Sequence, residues 1–71
     1  MKYLLTLILE HKTGTLHDVK HEIRTAHTIV NSENPEDLVT SFDNFMKNSV
    51  NELRSKHNQD FRPVSHSIIK L

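Results

Sequence analysis

"TLHDVKHEIRTAHTIV", residues 15–30, decides the fold. Two periodicities compete in it. Leu16, Val19, Ile23, Ala26 and Val30 recur at steps of three and four, which is a helical stripe. Against this, Val19, Ile23, Thr25, Thr28, Ile29 and Val30 are β-branched and favour extended backbone. Odd positions from Val19 to Ile29 also alternate with charged Asp18, Lys20, Glu22 and Arg24. The second pattern is taken, and it predicts a strand over 16–30.

The choice decides what His17 and His21 can do. On a helix they would stand one turn apart, and histidines at i and i+4 form a genuine zinc geometry. On a strand they are separated by about 13 Å and cannot share an ion. Glu22 follows His21 directly, which is not the H-E-x-x-H arrangement. No metal ligand, cofactor or catalytic residue is therefore assigned, and the two imidazoles are placed at the margin of the core or at a subunit contact. A histidine-dependent metal-binding protein is the third-ranked functional reading.

The strand needs a partner, and the N-terminus supplies one. Residues 2–10 are the most apolar segment, with Tyr3, Leu4, Leu5, Leu7, Ile8 and Leu9. A lysine followed by a short apolar run has the outline of an export signal, but Glu10, His11 and Lys12 follow at once without a small-residue cleavage site. The run is also too short to cross a bilayer. It reads as a buried strand. Lys12, Thr13 and Gly14 suit a three-residue hairpin loop, with Gly14 in the left-handed position. That loop predicts His11 opposite Thr15, Leu9 opposite His17, Leu7 opposite Val19, Leu5 opposite His21 and Tyr3 opposite Ile23. The second face then joins Glu10 with Leu16, Ile8 with Asp18, Thr6 with Lys20 and Leu4 with Glu22.

"NPEDLVTSF" marks a helix start. Asn34 is a good N-cap, Pro35 suits the first turn, and Glu36 and Asp37 favour the positive end of the helix dipole. Leu38, Val39, Phe42, Phe45, Met46, Val50 and Leu53 form one broad apolar stripe. Asn58 can take the left-handed conformation that ends a helix. A helix is predicted over 35–57, with its stripe on the sheet rather than around a cofactor. Residues 62–70 form a last strand, opened by Pro63. Val64 and Ile68 fall on one face, Ile69 and Leu71 on the other, and a bulge would reconcile them.

These elements give a single α+β domain over 1–71. Its order is β-β-α-β, with one amphipathic helix on one face of a three-stranded antiparallel sheet. The most apolar strand belongs in the centre, so the strand order is 2-1-3. Leu4 and Ile8, joined by Ile69, are expected on the uncovered face, where an apolar patch favours a partner. Strand edges offer a second route to pairing.

Composition narrows the function classes. The chain has 71 residues, nine Lys and Arg against nine Asp and Glu, six His, one Gly and no Cys. A chain of this size buries only about 60% of its unfolded surface. Without disulfides or thiolate metal sites to help, good packing or a partner must supply stability. The lone glycine excludes a glycine-rich phosphate loop. Ser65 and His66 in "VSHS" do not make a nucleophile–base pair by spacing alone. The expected function is that of a small soluble cytoplasmic interaction or regulatory protein, non-catalytic and homodimeric, with an unknown protein partner and no membrane contact. Its size is that of accessory proteins of bacteriophages and mobile elements.

The second-ranked reading is a nucleic-acid-binding module using the mixed hairpin face, with Lys20 and Arg24 assisted by Lys12, Arg54 and Lys56. Nucleic acid is not the expected partner. The charge balance shows no basic excess. Asp18 and Glu22 share that face, and Tyr3, Phe42, Phe45 and Phe61 make no stacking platform.

Overall fold

A computed structural model describes residues 1–15 and 17–71. The order is β1 (Lys2–Thr15), β2 (Asp18–Asn31), α1 (Pro35–His57) and β3 (Arg62–Lys70). The three strands form one antiparallel sheet in order β2-β1-β3, with α1 packed on one face. This is the predicted α+β architecture. Extended backbone over β2 also settles the opening choice against the helix.

The hairpin is longer than predicted, and its register differs. β1 continues five residues past the expected end at Glu10, to Thr15. Lys12, Thr13 and Gly14 are strand residues, paired with His21, Lys20 and Val19. The chain reverses only between Thr15 and Asp18, which face each other. Leu16, expected to open the second strand and to face Glu10, lies outside the described residues. The observed register sets Leu9 opposite Arg24, Leu7 opposite Ala26, Leu5 opposite Thr28 and Tyr3 opposite Val30.

Backbone satisfaction explains the difference. The predicted loop would leave residues 25–30 with nothing opposite them on β1, whereas the observed ladder spans all 14 residues of each strand. Backbone N–H and C=O groups that find neither water nor a partner are strongly disfavoured. The shift between the two registers is an odd number of residues, so it turns β2 over. Val19, Ile23 and Ile29, expected on the core side, lie on the uncovered face. Glu22, Arg24, Ala26, Thr28 and Val30 lie on the helix side and are half-buried.

The helix ends follow the capping residues. Asn34 Oδ1 accepts from the Asp37 N–H at 2.9 Å, and Asn34 Nδ2 donates to Asp37 Oδ2 at 2.9 Å. Asn58 has φ 52°, and its N–H donates to the Arg54 carbonyl at 2.9 Å. The core is thin. Among the described residues, Leu5, Leu7, Leu9 and Phe61 are its buried apolar residues, and Ala26, Phe42, Phe45, Met46, Val50 and Leu53 pack around Leu7, Leu9 and Phe61. Ser49, not assigned to the stripe, is buried in line with Phe45, Met46 and Leu53. Val39, assigned to it, is 69% exposed.

β3 contains a bulge, but it does not gather the apolar residues onto one face: Ile68 faces Leu5 on the helix side and Ile69 faces Leu4 on the open side. Ile8 faces Ser65 and Leu9 faces Pro63, so Val64 is the extra residue. Past Glu10 and Arg62 the third strand ends, and the hairpin continues alone as a two-stranded arm. The molecule is accordingly elongated, 48 × 21 × 16 Å. Its radius of gyration is 14.2 Å, against about 11 Å for a compact chain of this length. Among the described residues, no helix is long and apolar enough to cross a membrane.

Candidate interaction surface

The sheet has one covered face and one open face. Pleating sends alternate residues to opposite sides, and pairing aligns them in rows across the three strands. At the end nearest the termini, the open face carries Ile29, Leu4 and Ile69 in one row. Next come His27, Thr6 and Ser67, then Thr25, Ile8 and Ser65. Ile23, Glu10 and Arg62 form the fourth row, and Lys12 with His21 begins the arm. Leu4 and Ile8 thus lie where they were predicted, and Ile69 joins Leu4. Ile23 and Ile29 are additions that depend on the true register. Their signal was present in Ala26, whose small side chain suits a close approach of the helix and so marks the even positions as inward.

Polar contacts concentrate where the body meets the arm. Glu10, on the central strand, accepts from His21 Nδ1 at 3.1 Å, with Lys12 Nζ at 3.7 Å. The His21 hydrogen bond holds the Glu10 carboxyl below its ordinary value. Partial burial opposes this, while the charges of His21, Lys12 and Arg62 add to it. On the other face, Phe61 is held between two polar side chains. The His11 ring lies 5.4 Å from it, and the Arg24 guanidinium carbon 6.0 Å from its centroid. His11 Nδ1 also contacts the Asp60 carbonyl at 2.7 Å. This collar closes the core at the base of the arm.

The histidines are dispersed. His11 belongs to the collar, His21 to the Glu10 pair, and His27 to the open face; His66 stacks obliquely on Phe42, with ring centroids 5.1 Å apart. His17 sits in the turn and His57 at the helix end, both exposed. His17 and His21 therefore belong to neither the core margin nor one shared site. Among the described residues, no group of three or more His, Asp or Glu side chains is placed to hold a metal ion.

The mixed hairpin face considered for nucleic acid differs from the predicted one in its β1 neighbours. Lys20, Glu22 and Arg24 lie on the helix side, across the sheet from Leu4, Thr6 and Ile8. The clefts are open grooves. One lies between Arg24–Ala26 of β2 and Ser49, Leu53 and Lys56 of α1. No family model, curated protein or solved structure matches the chain. The reading of this surface therefore rests on its own chemistry.

Proposed function

We propose that this chain is a small non-catalytic interaction protein that works as a homodimer. The observation that carries the reading is the imbalance between buried and uncovered apolar surface. Among the described residues only Leu5, Leu7, Leu9 and Phe61 form the buried core, while Val19, Ile23, Ile29, Val64, Ile68 and Ile69 are each at least 44% exposed. Single exposed apolar residues are ordinary on any protein. Here Ile29 and Ile69 flank Leu4 in one row of a bare sheet face, and contiguous apolar surface of that kind marks an association site. Cysteine is absent and the net charge is zero, so neither a disulfide nor long-range repulsion enters the balance.

The test is the mass of the full chain in solution, measured by sedimentation across a wide concentration range. A reversible dimer is the expected result. A strict monomer at the highest concentration overturns the reading.

A further inference from the structure

The two margins of the sheet differ in how they are finished. β3 is a nine-residue strand with Pro63 near its start and a bulge beside it. Short length, proline and bulges all discourage pairing with another chain. β2 has none of these. It runs 14 residues in unbroken register, contains no proline and pairs on one side only. Its arm portion lacks even a third strand, because β3 reaches no farther than Glu10. Two-stranded ribbons are marginal on their own.

The residues along that margin specify what fits it. Asp18, Val19, Lys20, His21, Glu22, Ile23 and Arg24 are antisymmetric in charge about His21. Three residues out stand Asp18 and Arg24, two residues out Val19 and Ile23, and one residue out Lys20 and Glu22. An antiparallel strand that meets a copy of itself reads this stretch backwards.

We propose that two copies join β2 to β2 about a two-fold axis at His21, forming a continuous six-stranded sheet. Asp18 then faces the partner's Arg24, Lys20 faces the partner's Glu22, and Val19 faces the partner's Ile23. Each match occurs twice by symmetry. Opposite charges directly across a sheet are favourable, and like charges are not.

Neighbouring registers that keep the two faces matched do worse. An axis at Lys20 sets Asp18 against Glu22 and Lys20 against itself. An axis at Glu22 sets Lys20 against Arg24 and Glu22 against itself. An axis at Ile23 keeps only the Glu22–Arg24 matches and leaves Lys20 opposite Ala26.

The shape of the chain accommodates the chosen axis. It falls on the arm, so each arm lies along the other and each tip comes beside the partner's Arg24. The last turns of α1 lie by Arg24 and Ala26, which puts the two helices at opposite ends of the pair. Val19 and Ile23 are about half exposed. Among the described residues neither Asp18 nor Lys20 has an ion-pair partner. Arg24 already pairs with Glu22 of its own chain, so the incoming Asp18 and Lys20 extend that pair into a ladder of alternating charge.

The inference rests on the homodimer reading, and its test separates the two. Lys20→Glu alone and Glu22→Lys alone each place like charges opposite one another twice. Each is expected to weaken association about tenfold or more, and the double variant is expected to restore it. His21→Cys, in a chain with no native cysteine, is expected to give a disulfide-linked dimer under mild oxidation, while Ile23→Cys is not. Cross-linking reads the register even where a charge variant folds poorly. A dimer indifferent to both single swaps, or one trapped through Ile23→Cys and not His21→Cys, overturns the edge and its register while leaving the dimer intact. A monomer at every concentration overturns both.

Discussion

A methyl group at Gly14 would run into the Asp18 carbonyl oxygen, and the backbone there has φ +104°. Two constraints therefore meet at one residue: a conformation that side chains rarely adopt, and a backbone too close to admit one. Gly14→Ala is expected to destabilise the fold by about 1–3 kcal/mol, read from the urea midpoint. An unchanged midpoint would show that the approach to Asp18 relaxes freely. Glu10 makes the second prediction at this scale. Its folded carboxyl lies below the ordinary glutamate value, chiefly through the His21 hydrogen bond. The unfolded chain thus binds the proton more readily, and the contribution of Glu10 to stability is complete above that ordinary value. It is lost as the pH falls through the lower, folded value. Glu10→Gln is expected to flatten the acid decline of the urea midpoint as the pH falls below the ordinary carboxylate range. Glu52, held low in the same way by Lys56, retains its own share. An acid limb with the wild-type slope would dismiss the His21 contact as a stabilising one.

Elements differ in how locally they are specified. The helix is defined by its own ends: Asn34, Pro35 and Asn58 are read within a few residues, and α1 starts and stops where they place it. Asn34→Ala removes the acceptor for the Asp37 N–H and is expected to destabilise by about 1 kcal/mol, with early loss of helix signal on heating. If the helix and global unfolding are unaffected, a neighbouring group has replaced the cap. The hairpin is specified less locally, and this is why its register was not legible. Gly14 does require unusual backbone, but a lone glycine suits a loop position or a tight strand approach equally well. What settles the matter is the length of β2, which must find partners for residues 25–30, and the need for a small residue, Ala26, beneath the helix. Both demands arise only when strand and helix are considered together. The same shift carried Val19, Ile23 and Ile29 to the uncovered face, so half of the candidate surface was hidden until the register was known. Leu4 and Ile8 were legible because the central strand keeps its pleat in either register, and Ile69 because β3 pairs with that strand and not with β2.

The whole molecule is an arm on a thin body, and its stability is tied to whatever completes the sheet. Among the described residues, a 48 Å long axis rests on four buried apolar residues, and none of these lies in the far hairpin. Association that adds strands or covers the open face stabilises the folded chain by mass action, since the unfolded chain has no such surface to offer. Raising the free chain concentration from near the dissociation constant to about 100-fold above it adds about 2.3 kcal/mol. For a domain of this size that amounts to a rise in Tm on the order of 10 °C. Calorimetry over that range is the direct measurement. If the arm is the joint, Lys20→Glu and Glu22→Lys each flatten the dependence and their combination restores it, because the charge pattern and not the apolar face sets the register. If the open face is the joint, the dependence survives those swaps and is lost when Ile29 and Ile69 are made polar. A Tm independent of concentration would mean that the thin core suffices alone, and the exposed apolar rows would then have no stabilising role in a dimer.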